Sequence, residues 1–242
     1  ELDLSKWRIG GFGGAPMPIA TIDNLTRIVP SLTLMNCYGS TETTSPSTLM
    51  PRGHAKTHTD SVGIALACVE MRVMDDLGYE VPHGDLGEIW IKGPMVVPGY
   101  WENSTANAEN FTAGFWHSGD IGAIDESGYV KVVDRKKDMI NRGGYKIYTI
   151  EVENVLYAHP AVQECAVVSK PCAVLGERVH AFVMLKEQSV AEAELAEFCR
   201  SRLSDYKVPE SFTLSTTGLP RNANGKLVKR DLRDQLNRSL VV

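Results

Sequence analysis

The chain has 242 residues, 43% of them hydrophobic and 7% aromatic, so it can bury a sizeable core in one large domain or two ordinary ones and is too apolar for a disordered segment. Its 25 Lys and Arg against 30 Asp and Glu give a net charge of −5 with both signs mixed along the chain, which leaves no basic stripe to neutralise the phosphates of a long nucleic-acid contact. No apolar run approaches the ~20 residues of a membrane-spanning helix, residues 1–30 carry no charged leader followed by an apolar stretch, and the five scattered cysteines (Cys37, Cys68, Cys165, Cys172, Cys199) lack Cys-x-x-Cys spacing and fit buried thiols in a reducing cytoplasm better than a disulfide frame or a zinc site.

Leu2 to Ile9 reads as strand-like and runs into the glycine loop Gly10-Gly11-Phe12-Gly13-Gly14-Ala15-Pro16, an abrupt opening that looks cut from something longer. Ile19, Ile22, Leu25, Ile28 and Val29 recur at helical spacing, and Leu32 to Met35 then reads as a short buried strand, so residues 1–61 are α/β in character. From Val62 the period changes to two. Val69, Met71 and Val73 alternate before a turn at Asp75 to Gly78, and Glu88 to Lys92 and Tyr129 to Val132 repeat the pattern beside other glycine turns, which predicts a β-rich subdomain over 62–133. The charged run 134–138 is the expected domain boundary. Beyond it, 139–242 mixes strands (Glu164 to Val168, His180 to Leu185) with helices, one from Thr149 to its stop before Pro160 and one opened by a Ser189/Glu192 capping box with Leu195, Phe198, Cys199 and Leu203 as its apolar stripe.

Chemistry has to come from the loops. Tyr38-Gly39-Ser40-Thr41-Glu42-Thr43-Thr44-Ser45 follows an apolar strand, where an α/β sheet presents ligands: hydroxyls donate to anionic oxygens, Glu42 offers a hard carboxylate to Mg²⁺, and Tyr38 can stack on a base. A plain Ser/Thr-rich surface loop fits that stretch equally well. Phe115 to Asp120 reads as an aromatic turn ending in a carboxylate, Asp134 to Asp138 as a solvated charge run, and Asn141 to Tyr145 as a paired-glycine segment that permits close backbone approach or a change of φ. Leu219 to Leu227 reads first as a hairpin around Asn224-Gly225, with Lys226 just past an exposed tip. His54 and His58 are four apart, but the intervening residues argue against a metal-binding helix, leaving satisfied or exposed histidines.

Taken in order, Gly13-Gly14-Ala15-Pro16, Tyr38 to Glu42, Gly87 to Gly93 with Gly99-Tyr100-Trp101, Trp116 to Asp120, Asp134 to Asp138, Gly143-Gly144 and Pro220 to Lys226 resemble the motif series of adenylate-forming enzymes: acyl- and aryl-CoA synthetases, firefly luciferase and peptide synthetase adenylation domains. The resemblance implies the end of a large α/β lobe, a small β-rich distorted barrel and a mobile C-terminal α+β domain. It places Gly14, Ala15 and Pro16 along adenine, Tyr38 stacked on it beside Gly39, Thr41 at the α-phosphate and Glu42 on Mg²⁺, with Asp120 and Arg135 on the ribose hydroxyls. Lys137 falls on the hinge residue, Gly143 and Gly144 on the wall of the pantetheine tunnel, and Lys226 on the lysine that contacts the carboxylate and α-phosphate during adenylation.

The implied activity is ATP-dependent ligation of a small-molecule carboxylic acid to coenzyme A through an acyl-adenylate. Two departures stand out: the Ser/Thr/Gly-rich phosphate loop ending in Pro-Lys-Gly does not occur in these residues, and Tyr145-Lys146 stands where many relatives have Glu-Asn. The chain is therefore expected to be the C-terminal half of such a ligase, nearly inactive alone. The CoA branch is favoured because a peptide synthetase should continue into a carrier domain and a beetle luciferase should end in Ser-Lys-Leu, unlike Ser239-Leu240-Val241-Val242. The rival reading is a non-catalytic nucleotide-binding fragment.

Overall fold

The computed structural model describes residues 3–14, 17–44, 46–186, 190–223 and 225–239. They fall into two compact units, residues 1–136 and 137–242. The mixed α/β class expected from the periodicity is observed in both.

In the first unit, β1 (Ile9–Gly13), α1 (Ile19–Ile28) and β2 (Thr33–Tyr38) form a β-α-β segment in which β1 and β2 pair in parallel. The strand lies on the glycine segment itself and not on the residues before it. Strand β2 supplies the partner there, and glycines let the backbones close: a Cβ on Gly13 would stand 2.3 Å from the Cys37 carbonyl oxygen. Two short strands, β3 (Thr48–Leu49) and β4 (Ile64–Ala65), complete a four-stranded sheet in the order β1-β2-β3-β4, so this sheet extends past residue 61. Ile22, Val29, Leu32, Leu34 and Met50 form its core.

The rest of the unit is an antiparallel sheet of β5 (Glu70–Met74), β6 (Gly87–Lys92), β7 (Phe111–Thr112), β8 (Phe115–Ile124) and β9 (Val130–Arg135), with α2 (Ser104–Asn110) leading into β7. Along β6 the alternate residues Gly87, Ile89 and Ile91 are buried, as the period of two requires. Ile89, Ile91, Trp116 and Val130 make the core of this sheet.

In the second unit, β10 (Ile140–Arg142) and β11 (Tyr145–Ile147) form a hairpin, followed by α3 (Thr149–Tyr157), β12 (Val162–Cys172), β13 (Gly176–Leu185), α4 (Glu192–Arg200), β14 (Ser211–Ser215) and α5 (Lys229–Ser239). Cys165 and Val167 face the core under α3 and α4, while Ala166 and Val168 face Leu232 and Leu236 of α5. Burial on both faces explains the unbroken apolar run in β12. Helix α3 ends at Tyr157, short of Pro160, because the residue before a proline is pushed out of the helical region. Helix α4 is not opened by the expected capping box: its N-cap is Ala191 with no side-chain cap bond, and Ser189 lies outside the described residues. Glu192 and Glu194 in its first turn supply favourable charge there instead.

All five cysteines are unpaired; Cys165 and Cys199 are buried, whereas Cys68 is exposed. Among the described residues no helix is long and apolar enough to cross a membrane.

Candidate nucleotide and ligation sites

Tyr38 ends β2, and Asp120 and Arg135 face each other in register across β8 and β9. The Tyr38 hydroxyl donates to Asp120 Oδ2 at 2.7 Å, and Arg135 Nε lies 3.4 Å from Oδ1. Residues 82 positions apart thus share one carboxylate. Burial, and then the charge of Asp120, push the Tyr38 phenol well above its ordinary value, so it stays a neutral donor. The Arg135 side chain is 59% exposed while Asp120 is nearly covered, an anchored carboxylate beside an accessible cation.

The sequence reading of Phe115 to Asp120 as a turn is corrected: these residues are the first part of β8. Ser118, Gly119 and Asp120 stand opposite Ile89 alone, between the pairs Trp90/His117 and Glu88/Ile121. Such a bulge re-aims side chains within a strand. It is held by Ser118 Oγ donating to the Ile89 carbonyl at 2.6 Å, by Gly119 N–H donating to Glu88 Oε1 at 3.1 Å, and by Lys136 N–H donating to the Gly119 carbonyl at 2.8 Å. Lys136 Nζ also reaches Glu88 at 3.2 Å.

Beyond Tyr38 the chain makes a single 3-10 turn over Thr41–Thr43, capped reciprocally by Ser40 and Thr43. The Ser/Thr run is therefore an ordered turn rather than a loose surface loop. Gly39 is half-buried, Thr41 is exposed, and Glu42 accepts from Ser40 Oγ at 2.7 Å and from the Tyr100 hydroxyl at 3.1 Å. Trp116 Nε1 donates to the same Tyr100 oxygen at 3.3 Å. Partial burial raises the Glu42 carboxyl, but hydrogen bonds from Ser40, its own backbone and Tyr100, with the Arg135 charge, outweigh burial and hold it below its ordinary value. It is an ionised hard-oxygen donor. Among the described residues no three His, Cys, Asp or Glu side chains gather as a metal cage. A single carboxylate fits Mg²⁺ shared with substrate phosphates, a common arrangement for that ion.

Gly14 is exposed just past β1; Ala15 and Pro16 lie outside the described residues. His54 is exposed and bonds the Tyr129 hydroxyl, and the His58 ring stacks on Tyr129 at 3.7 Å. Tyr100 and Glu88 carry no role in the sequence reading, and Ser40 there is only one of several hydroxyl donors. Tyr100 belongs to the Gly99-Tyr100-Trp101 motif, but only the tertiary structure pairs it with Glu42.

At the unit boundary the charge run is less solvated than expected. Asp134 and Arg135 end β9, and Asp134 and Asp138 are buried, Asp138 pairing with Arg233 Nη1 at 2.8 Å. Lys136 is bound into the first unit and Asp138 into the second, with exposed Lys137 between them. In the second unit, Gly143 and Gly144 form the two-residue β10–β11 turn with φ of +58° and +91°, the left-handed pair that a tight hairpin of this twist requires. Residues 219–227 make the expected hairpin: Arg221 pairs with Leu227, Asn222 N–H donates to the Lys226 carbonyl at 2.9 Å, and Lys226 is exposed. Asn224 lies outside the described residues.

Two family models match the chain: that of the AMP-binding enzymes over residues 1–101 and that of the AMP-binding enzyme C-terminal domain over residues 151–226. The chain belongs to the AMP-binding enzyme family. It is 37% identical over 235 residues to a long-chain-fatty-acid–CoA ligase of Escherichia coli O6:H1, a match covering 97% of this chain and 41% of that protein. It is 39% identical over 233 residues to a feruloyl-CoA synthase of an Amycolatopsis species, covering 96% and 47%. The o-succinylbenzoate CoA synthetase of Bacillus subtilis, solved in complex with its acyl-adenylate intermediate, superimposes with a TM-score of 0.85 at 34% identity, covering 95% of this chain and 46% of that one. The same enzyme has been solved with ATP and a magnesium ion. The chain thus spans less than half the length of each of these relatives.

Proposed function

We propose that this chain is part of an ATP-dependent carboxylate–CoA ligase. A carboxylate oxygen attacks the α-phosphorus of ATP and pyrophosphate leaves, giving an acyl-adenylate; the CoA sulfur then attacks the acyl carbon and AMP leaves. The observation that carries the reading is the convergence of Tyr38, Asp120 and Arg135. Asp120 is the group assigned to the vicinal ribose hydroxyls, because an ionised carboxylate accepts hydrogen bonds on both oxygens. Arg135 and Thr41 add donors for the nucleotide, Gly14, Ala15, Pro16 and Gly39 a backbone close to the base, and Tyr38 its ring. Glu42 would hold Mg²⁺, which supplies charge neutralisation at the phosphates.

Lys226 is assigned to the first step. Phosphoryl and nucleotidyl displacement is mostly positioning plus charge stabilisation, so an ammonium on a protruding tip suffices as a catalyst. One site serving two steps has to exchange Lys226 for CoA, and Lys137, between two anchored neighbours, is the assigned pivot, with Gly143 and Gly144 lining the pantetheine path. The relatives act on a fatty acid and on an aryl acid at similar identity, so the shared chemistry is the ligation and the acid is a carboxylic acid of unassigned structure. The five unpaired cysteines support a reducing, cytoplasmic setting.

The test is nucleotide binding by calorimetry with wild type and Asp120→Ala. Loss of charge-assisted bonds to the ribose is expected to weaken AMP by about tenfold or more; equal affinity would overturn the assignment. The 242 residues expressed alone, which contain no Pro-Lys-Gly phosphate loop, are expected to give negligible ATP–pyrophosphate exchange, and robust exchange would refute that.

A further inference from the structure

Lys226 is carried on a tip whose turn is closed by bonds between near neighbours. Asn222 N–H donates to the Lys226 carbonyl, Lys226 N–H to Asn222 Oδ1 and Gly225 N–H to the Asn222 carbonyl, each at 2.9 Å. These bonds fix the shape of the turn and say nothing about where it stands on the domain. A two-stranded hairpin with no other support is marginal in water, and a lysine brings four rotatable bonds of its own. A catalytic ammonium on such a tip would sample many positions.

We propose that Glu164 and Arg221 are positioning residues that tie this tip to the central sheet and thereby place Lys226 for adenylation. The proposal rests on the ligase reading of Lys226 and extends it to two residues with no assigned role. Arg221 Nη1 donates to the Gly225 carbonyl at 2.6 Å, the peptide immediately before Lys226. Its Nη2 donates to Glu164 Oε1. Glu164 projects from β12, its side chain only 12% exposed, and its second oxygen accepts from Leu219 N–H at 3.5 Å. One guanidinium therefore joins the last residue before the lysine to strand β12 of the sheet. Below it, Leu219 and Leu227 from the two arms of the hairpin pack with Val168, Phe182 and Leu232.

The chemistry requires arginine. A planar fork reaches two acceptors in fixed directions at once, whereas an ammonium is a point charge that cannot span both. With the Arg221 side chain 48% exposed, the pair is a partly solvated ion pair of the kind that adds little net stability. Its structural product is registry: it dictates the distance between Gly225 and the sheet.

The experiment uses the full-length protein containing this chain, with Arg221→Lys, Glu164→Gln and, as reference, Lys226→Ala. Adenylation is followed by pyrophosphate exchange, the second step by thioester formation from supplied acyl-adenylate, and tip order by amide hydrogen exchange at Gly225 and Lys226. Arg221→Lys is expected to lower kcat of adenylation by about 10–100-fold, since a misplacement near 1 Å can cost about 10²-fold, with KM for ATP and the second step within about threefold. Amide exchange at Lys226 is expected to quicken about tenfold while the Val167 and Val179 amides in the sheet are unchanged, a split that loss of folding would not give. Equal losses in both half-reactions, or unchanged adenylation together with unchanged exchange, overturn the clamp. If Lys226→Ala itself leaves adenylation intact, the ligase role of Lys226 falls, and the clamp is judged by the exchange data alone.

Discussion

Mild acid should destabilise the second unit through His180. This residue lies on β13, is 3% exposed, and has its two ring nitrogens against Ser211 Oγ at 2.7 Å and Thr213 Oγ1 at 3.0 Å, with Phe182 edge-on. Burial, and secondarily the Lys170 charge, lower its pKa to about 4 from 6.5. Above pH 6.5 both folded and unfolded chains carry a neutral ring and the group confers no pH dependence. Between pH 6.5 and 4 the unfolded chain binds a proton that the folded one refuses, so stability falls as pH falls. At ~1.4 kcal/mol per unit of pKa difference, moving from pH 7 to pH 5 removes about 2 kcal/mol, a sizeable part of the ~5–15 kcal/mol of a typical domain. All four tryptophans lie in the first unit, so unfolding of the second is better followed by NMR of the Val167 and Val179 methyl groups in urea. His180→Gln keeps a neutral hydrogen-bonding side chain and is expected to lose about 2 kcal/mol less than wild type over this range. Equal losses in the two proteins, or a His180 ring that titrates near 6.5, would refute the reasoning.

Gly122→Ala is expected to cost about 2 kcal/mol or more, because a Cβ there would meet the Lys131 carbonyl oxygen at 2.2 Å and Ile89 Cδ1 at 2.6 Å, forcing β8 from β9; Gly11→Ala, which meets nothing within 4 Å, should stay within about 0.5 kcal/mol. Urea unfolding followed by Trp90 and Trp116 fluorescence compares them, and similar midpoints would sink the steric argument. In the full-length protein, Lys226→Ala is expected to slow adenylation by about 10²-fold while thioester formation from supplied acyl-adenylate survives. Lys137→Pro, which fixes φ between two anchored residues, should impair one half-reaction far more than the other; near wild-type rates in both would argue against a pivot there.

Local patterns carried much of the fold. The helical spacing of Ile19, Ile22 and Leu25, the alternation through Glu88 to Lys92, the apolar run of β12 and the left-handed Gly143-Gly144 turn each follow from rules that act over a few residues, and each element formed near its expected place. The order of motifs along the chain gave the family. What the sequence left open were the features that depend on partners far along it. Phe115 to Asp120 is a strand because β6 and β7 flank its start and β9 joins at Asp120, and its bulge exists because Glu88 and Lys136 bind Gly119. Asp138 is buried because Arg233, 95 residues away, comes to meet it. Likewise, Tyr100 supports Glu42 and Glu164 holds Arg221 only once two sheets have been assembled around them. Backbone propensity and hydrophobic period are short-range and survive in the sequence, whereas whether a charged or polar group can be buried is decided by the hydrogen-bond partner that the tertiary fold delivers.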